Sequence, residues 1–335
     1  MGRLARAGAP PAGATDPEPD HIDFMFAVAA QSEFTNPLLL NQDTIRIGDV
    51  SISLVGLWPD DSELDAGLRQ FSVASCEADI QVGVEWAENL PRRTDVPEFD
   101  SGSLWSSYRA GTDRIFDFSS EAVSEQPYKR LRVDYGFRRG QLILNREALA
   151  AHRPISPLEY PTDELLITNY LAHYGLGVEV HGCGLVDSET GGHLLLGHSG
   201  AGKSTTTQLW RSLRNPEILS DDRLILRLQD GELWMYGTPW HGEGRFASPG
   251  KSKISRILIL HHGERNQFTE LSRPQAAAEL FARCFPPFHS PAGLHGVIEF
   301  LERVVNAVPC YEFRFVPDAR AVDAVMEMDR VSVSH

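Results

Sequence analysis

The chain has 335 residues, a length typical of two domains and still compatible with one large domain. Its hydrophobic fraction of 42% and charged fraction of 23% are those of a globular protein and exclude wholesale disorder, a collagen-like fold and a coiled coil. The formal charge is −15, with 15 basic and 25 acidic residues in 1–160 and 16 basic and 21 acidic residues in 161–335. Because neither half has the basic field that non-specific nucleic-acid binding needs, we expect no nucleic-acid partner.

The cysteine pattern and the lengths of the apolar runs indicate the cellular compartment of the protein. The four cysteines include no C-x-x-C pair, which favours free thiols in a reducing compartment over disulfides or a zinc site. No apolar run approaches the roughly 18 residues of a membrane helix, so we expect no membrane partner. Residues 1–21 are rich in Ala, Gly and Pro without the apolar segment of a signal peptide, and we predict a disordered tail there. These features predict a cytoplasmic protein.

Residues 22–160 are predicted to form a β-rich domain, because they consist mainly of short runs that alternate apolar and polar residues. The clearest run covers 44–57 and turns at Gly48-Asp49, a pattern typical of a β-hairpin. Further strands are predicted over 78–86 and over 129–145, the second with breaks at Gly136 and Gly140. No catalytic spacing occurs in this half, which we interpret as a scaffold or a substrate-presenting domain.

The composition changes after the Pro-rich stretch 154–161, which marks the predicted boundary with an α/β domain over residues 161–335. A helix is expected to begin at Pro161 with acidic residues in its first turn and to end at Gly175. The other predicted elements are strands at 178–186, 194–196, 257–260 and 310–315, and helices at 274–283, 292–308 (with Ile298, Leu301 and Val305 in the core) and 319–328.

Residues 197–205 read GHSGAGKST and match the pattern G-x-x-x-x-G-K-[ST] of a phosphate-binding loop, or P-loop, at every fixed position. The glycines allow backbone N–H groups to approach phosphate oxygens, and the following helix turns its positive end toward the anion. Lys203 is expected to reach the β- and γ-phosphates, and the Ser204 hydroxyl to bind Mg²⁺. The residues expected to contact the nucleotide are Gly197, His198, Ser199, Gly200, Ala201, Gly202, Lys203, Ser204 and Thr205.

The alternative for this segment is a glycine-rich turn without a ligand. An apolar strand precedes the motif, and a helix-forming run that ends at Asn215-Pro216 follows it. This context favours a nucleotide site, and we expect ATP and Mg²⁺ as cofactors.

A pair of acidic residues, Asp221-Asp222, lies 18 residues after Lys203. One short helix and one return strand fill this interval, and we expect that strand to pack beside the P-loop strand and to deliver both carboxylates to the phosphates. One carboxylate is then available for Mg²⁺ and the other for the proton of an attacking hydroxyl. The alternative is a surface turn capped by acidic residues.

Two other classes of nucleotide-binding protein are disfavoured. A transporter-type ATPase would carry an LSGGQ-like segment, which we do not find, and the strand at 257–260 ends in His261-His262 instead of a carboxylate. A GTPase would carry an N-K-x-D motif for base recognition, and the sequence has none. The motifs therefore favour a kinase.

Three segments together resemble the catalytic domain of HPr kinase/phosphorylase and its kinase-like relatives. They are His181–Val186, the GHSGAGKST loop at 197–205, and Ser220–Asp222. That domain shares its P-loop architecture with the phosphoenolpyruvate carboxykinases. The resemblance covers roughly residues 161–335 and implies an α/β kinase domain with a mixed sheet, here preceded by the β-rich domain.

The resemblance also implies roles for individual residues. It places His181 near the transferred phosphate, and Lys203 and Ser204 on the phosphates and Mg²⁺. Asp221 would be the base on the acceptor hydroxyl, and Asp222 would be a carboxylate on the metal side.

The sequence departs from that family in one segment. The R-G-L-G-I element, associated with the phosphorylase activity of the bifunctional enzyme, has no match, and Gly237–Arg245 stands in its place. This departure disfavours phosphorolysis and disfavours HPr as the substrate.

The segment 237–255 has two equally supported interpretations. It contains His241, Glu243 and Arg245 and two of the four lysines of the chain, Lys251 and Lys253. One interpretation is a mobile loop that places a cation on the γ-phosphate or on the acceptor, and the other is a solvated connection. Glu243 is a further candidate to complete the Mg²⁺ shell through water.

We expect transfer of the γ-phosphate of Mg·ATP to a hydroxyl, that of Ser or Thr in a peptide or small protein. The resemblance extends to a wider group that includes lasso-peptide-type precursor kinases, which makes a modified peptide a candidate acceptor. One alternative is a small-molecule kinase or carboxykinase-like enzyme, and another is a non-enzymatic nucleotide-binding regulator. The Asp pair disfavours the regulator, because binding alone does not need a base. A homo-oligomer is compatible with the sequence, which does not specify the oligomeric state.

Overall fold

A computed structural model of the chain describes residues 41–56, 66–151 and 156–333. The predicted tail at 1–21, the start of the predicted N-terminal domain and part of the predicted boundary at 154–161 lie outside these ranges. The described residues form seven helices and two mixed sheets, which confirms the mixed α/β class. None of the helices in these ranges is both long enough and apolar enough to cross a membrane.

Residues 41–145 supply the first sheet and one short helix. Its strands are β1 (Asn41–Ile47), β2 (Val50–Gly56), β3 (Ile80–Ala87), β4 (Phe99–Asp100), β5 (Trp105–Ala110), β6 (Asp113–Ser120), β7 (Ser124–Val133) and β8 (Arg139–Asn145). Their order is β1-β2-β3-β8-β7-β6-β5-β4. The β2–β3 and β3–β8 pairs are parallel, and the other neighbours are antiparallel. Helix α1 (Ala66–Arg69) precedes β3, and α2 (Arg146–Leu149) follows β8.

The predicted hairpin at 44–57 is confirmed by β1 and β2, which pair antiparallel along their whole length. Gly48 and Asp49 both have positive φ, 59° and 55°, as a two-residue turn of this kind requires. A Cβ on Gly48 would lie 2.9 Å from Ile225 of the second sheet. The glycine therefore serves both the turn and its close contact with the second sheet.

The predicted run over 129–145 divides at a single turn. β7 ends at Val133 and β8 begins at Arg139, with the Asp134 carboxylate accepting the backbone N–H groups of Arg138 and Arg139 at 2.8 and 3.1 Å. The predicted break at Gly140 is wrong, because Gly140 lies inside β8. A glycine fits there because a Cβ would lie 3.2 Å from the carbonyl oxygen of a neighbouring strand.

Residues 177–315 supply the second sheet. Its strands are β9 (Gly177–Asp187), β10 (Gly191–Leu196), β11 (Glu217–Ser220), β12 (Arg223–Gln229), β13 (Glu232–Tyr236), β14 (Lys251–Ile254), β15 (Ile257–His262), β16 (Gln267–Glu270) and β17 (Cys310–Phe315). Eight of them follow the order β14-β13-β12-β9-β10-β15-β17-β16, and β11 also pairs with β9. The β10–β15 and β15–β17 pairs are parallel, which brings the carboxyl ends of these strands to one edge.

Helices cover the second sheet, and most begin and end close to their predicted bounds. They are α3 (Thr162–His173), α4 (Lys203–Arg214), α5 (Arg273–Phe281), α6 (Pro291–Ala307) and α7 (Ala319–Val333). The expectation that Ile298 of α6 belongs to the core is wrong, because its side chain is 50% exposed. The buried face of α6 is centred on Val297, Phe300, Leu301 and Val304, and a turn of about 100° per residue carries Ile298 away from it.

The turn between β1 and β2 contacts the second sheet through Asp49. Its carboxylate accepts the Tyr236 hydroxyl at 2.7 Å and the Lys251 ammonium at 2.8 Å. Lys251 and Lys253 lie in β14, and Lys253 pairs with Glu232. The interpretation of these lysines as cations that a mobile loop brings to a phosphate is therefore wrong, because strand pairing and carboxylate partners hold both of them.

A buried carboxyl group, Asp163, connects α3 to the segment between β13 and β14. Its Oδ2 accepts the indole N–H of Trp240 at 2.8 Å, and its Oδ1 accepts the backbone N–H of Glu164 at 2.8 Å. Burial raises the pKa of Asp163 to about 7, against the smaller lowering effect of the Trp240 hydrogen bond. The buried Lys129 ammonium of the first sheet is another nearby charge that lowers this pKa.

This raised pKa predicts a stability that falls as the pH rises. The folded protein holds the Asp163 proton up to about pH 7, whereas the unfolded chain releases it near its ordinary value of 3.8. Between these values the folded state binds more protons, so the free energy of unfolding decreases by on the order of 2–4 kcal/mol from this group alone. Asp163→Asn, which does not ionise, removes that part of the pH dependence in chemical-denaturation measurements.

Asp323→Asn is the matched control, because Asp323 is exposed on α7. Its unfolding free energy is expected to follow the wild-type pH profile. If the unfolding free energy of Asp163→Asn has the same pH dependence as that of the wild type between about pH 4 and pH 7, the raised pKa of Asp163 is contradicted.

Candidate functional site

The P-loop segment lies at the carboxyl end of β10, where residues 197–202 form a loop that leads directly into α4. Gly200 and Gly202 have positive φ values of 80° and 98°, which glycine adopts without steric cost. A Cβ on Gly202 would also lie 2.7 Å from the ring of Phe315 in β17. Both the backbone conformation and the packing behind the loop therefore depend on these glycines.

The side chains that the motif singles out occupy the start of α4. Residues 198–200 and Ser204 are exposed, whereas Lys203 is buried. The Lys203 Nζ donates to the carbonyl oxygens of Gly197 and His198 at 2.8 and 3.2 Å. Burial lowers the pKa of Lys203, and the negative charge of Asp222 opposes that shift. The cation is thus held by the loop's own backbone at the positive end of a helix.

The underside of the loop and of α4 is packed against the second sheet. The His262 Nε2–H at the end of β15 donates to the Gly200 carbonyl at 2.8 Å. On the next part of α4, the Thr207 hydroxyl lies 2.9 Å from the buried Cys183 thiol of β9. These contacts give His262 a structural role beneath the loop.

The strand before the Asp pair, β11, does not have the neighbour that we expected. β11 does not pack beside the P-loop strand β10; it pairs antiparallel with β9, which also pairs antiparallel with β10 on its other side. β11 therefore runs in the same direction as β10. Because of this shared direction, the residues after Leu196 and those after Ser220 still leave the sheet at the same edge.

Asp222 lies at this edge beside His181 of β9. The His181 Nε2 is 3.1 Å from the Asp222 Oδ1, and the backbone N–H of Gly182 donates to the Asp222 carbonyl at 2.9 Å. The hydrogen bond from His181 lowers the pKa of Asp222, and partial burial opposes the shift. The structure thus pairs two residues that the sequence analysis had assigned separately.

Asp221 faces the segment between β13 and β14. Its Oδ1 and Oδ2 accept the backbone N–H groups of Gly242 and Gly244 at 2.9 and 2.7 Å. A Cβ on Gly244 would lie 2.6 Å from the Asp221 Oδ2, so this contact requires a glycine. Glu243 lies between the two glycines and is exposed. The segment 237–250 is therefore tied to the Asp pair by main-chain hydrogen bonds.

The three residues predicted for Mg²⁺, Ser204, Asp222 and Glu243, contribute one hydroxyl and two carboxylates. In the described ranges, no group of three or more His, Cys, Asp or Glu side chains is arranged to hold a metal ion. Mg²⁺ is typically bound by one or two carboxylates together with phosphate oxygens and water, so a ready-made protein cage is not required. Ser204, at the start of α4, and Asp222, which follows β11, have the donor chemistry for this kind of site.

An ionic cluster that the sequence did not predict lies next to the Asp pair. Arg223 contacts Glu164 of α3 through its Nη1, which also lies 3.2 Å from the buried Glu179 of β9. Its guanidinium carbon lies 4.5 Å from the ring centre of Phe285 and 5.6 Å from that of Tyr160. The available signal was the position of Arg223 directly after the two aspartates. This cluster fixes the start of β12, and with it the backbone of Asp222.

Comparisons with known proteins give little beyond a distant likeness. No family model matches the chain, and no curated protein matches it. Among solved structures, it is similar to the HPr(Ser) kinase/phosphatase from Coxiella burnetii, with 11% sequence identity and a TM-score of 0.29. The match covers 47% of this chain and 99% of that one.

Proposed function

We propose that the chain is an ATP-dependent phosphotransferase whose loop at 197–205 binds the phosphates of Mg·ATP. The observation that carries this proposal is the meeting of the loop and the Asp pair at one edge of the second sheet. A nucleotide-binding loop next to a His–Asp pair and a second carboxylate has the parts that phosphoryl transfer to a hydroxyl needs. A regulator that only bound nucleotide would need the loop alone.

Phosphate binding is assigned to α4 and its first residues. The N-terminus of α4 offers a positive partial charge, and Lys203 adds a full charge that exchanges its two carbonyl partners for phosphate oxygens. The Ser204 hydroxyl and the Asp222 carboxylate are the groups that would hold Mg²⁺, with Glu243 as a candidate through water. When bound, Mg²⁺ neutralises charge on the phosphate oxygens.

Proton removal from the acceptor is assigned to Asp221. Each of its oxygens accepts one backbone N–H and keeps a further lone pair, so the carboxylate is oriented and still able to accept a proton. The acceptor oxygen forms a bond to the γ-phosphorus, the bond to the β–γ bridging oxygen breaks, and ADP leaves. The hydroxyl proton passes to Asp221. His181, which is held by Asp222 at 3.1 Å, is the residue that we assign to the side of the transferred group.

We propose Ser or Thr of a peptide or small protein as the acceptor. Two exposed aromatic side chains, Tyr160 and Phe285, lie beside the site, with the Phe285 ring centre 6.1 Å from that of His181. Exposed apolar surface at the rim of a site suits a chain with its own side chains better than a small polar metabolite. The net charge of −15 favours a neutral or basic peptide.

The first test of this proposal is nucleotide binding by Lys203→Ala. Removing a charge that contacts two phosphates is expected to weaken Mg·ATP binding about 10- to 100-fold, measured by calorimetry with a non-hydrolysable analogue. Lys253→Ala is the control, because Lys253 is exposed and pairs with Glu232 in β14. Wild-type affinity in a folded Lys203→Ala protein contradicts the assignment of the loop.

The second test separates the two aspartates in a transfer assay with labelled ATP and peptides from a lysate of the source organism. Asp221→Asn is expected to leave Mg·ATP binding intact and to lower kcat by on the order of 10²–10⁴. Asp222→Asn is expected to raise the Mg²⁺ concentration needed for half-maximal rate. Exchanged phenotypes mean that the two roles are reversed, and full activity in both variants excludes this mechanism.

A further inference from the structure

Arg283, which follows α5, lies against the strand that carries His181. The Arg283 carbonyl accepts the His181 backbone N–H at 2.7 Å, and the Phe285 N–H donates to the Glu179 carbonyl at 3.0 Å. The last residue of β10, Leu196, pairs with Gly182, the neighbour of His181 along β9. Residues 283–285 therefore continue along β9 from the point where β10 ends and the phosphate-binding loop begins.

The side chain of Arg283 is buried but not fully paired. It is 1% exposed, and its Nη1 donates to the backbone carbonyl of Glu279 at 2.9 Å and to the Glu279 carboxylate, which is 40% exposed. Its Nε–H has no hydrogen-bond partner among the described residues. A buried donor without a partner is unfavourable, so such a donor next to the proposed phosphate site needs an explanation.

The charge of Arg283 acts on the loop. It is the largest cause of the lowered pKa of His198, and it also lowers the pKa of Lys203, where burial is the larger cause. The opposing groups are Glu279, which acts on His198, and Asp222 and Cys183, which act on Lys203. Two cations thus lie close to the same loop, an arrangement that an anion between them would stabilise.

We propose that Arg283 is a further phosphate-binding residue, whose unpartnered Nε–H donates to the γ-phosphoryl oxygens of the nucleotide that Lys203 binds. The inference rests on the proposed nucleotide site and adds a residue that no motif indicates. An arginine at this position stabilises the negative charge on the transferred group. Since ADP lacks the γ-phosphate, the contact distinguishes ATP from ADP.

The test compares the binding of two probes, Mg²⁺ with a non-hydrolysable ATP analogue and Mg²⁺ with ADP, by calorimetry. Arg283→Gln is expected to weaken binding of the ATP analogue at least about tenfold and to change ADP binding less than about twofold. Arg273→Gln, at the exposed start of α5, is the control and should bind both probes like the wild type. Melting temperatures establish that each variant is folded.

The outcomes separate the two proposals. A wild-type protein that binds neither probe overturns the proposed nucleotide site itself. A wild-type protein that binds both, with an unchanged ATP-to-ADP preference in folded Arg283→Gln, overturns the role of Arg283 alone and leaves it as a structural partner of Glu279.

If the Arg283→Gln variant does not fold, a second measurement on the wild-type protein tests the proposal. The arginine Nε–H resonances of the wild-type protein are followed by NMR, with that of Arg283 assigned from its contact with Glu279. We expect the Arg283 resonance to shift with the ATP analogue and to move much less with ADP. An Arg283 resonance that is unaffected by the ATP analogue contradicts the proposal.

Discussion

The candidate site depends on how β9 pairs with its neighbours. β10 lies antiparallel on one side of β9, and β11 and β12 lie antiparallel on the other. Two strands that are both antiparallel to a third run in the same direction, so the loop after β10 and the Asp pair after β11 emerge at one edge. His181, on β9 itself, completes that edge. Backbone pairing therefore brings together side chains that are distant in sequence.

Hydrogen bonds from three places along the chain hold the segment between β13 and β14, together with the first residue of β14. Trp240 bonds to the buried Asp163 of α3, the N–H groups of Gly242 and Gly244 bond to Asp221, and Lys251 at the start of β14 bonds to Asp49 of the first sheet. Each contact involves an ionisable group. These contacts connect the first sheet and α3 to the segment whose backbone N–H groups bond to the carboxylate that we propose as the base.

The sequence indicated candidate residues where their type is constrained, and it was wrong where only tertiary contacts decide. Gly200 and Gly202 could be identified because their positive φ favours glycine, and Lys203 because it completes the P-loop pattern. The predicted pairing of β11 with β10 was wrong, because a strand of four residues can pair with either of the available strand edges. No sequence pattern indicated Arg283, for which we propose a role in phosphate binding, because it lies about 80 residues from Lys203 and only the pairing of residues 283–285 with β9 brings it beside His181.

We propose that the loop at 197–205 holds the β- and γ-phosphates of a nucleotide. A crystal structure with Mg²⁺ and a non-hydrolysable ATP analogue tests this assignment directly. We expect phosphates inside the loop and the Lys203 Nζ bonded to phosphate oxygens in place of the Gly197 and His198 carbonyls. A nucleotide bound elsewhere on the molecule, or a bound nucleotide with Lys203 still on both carbonyls, would contradict the account.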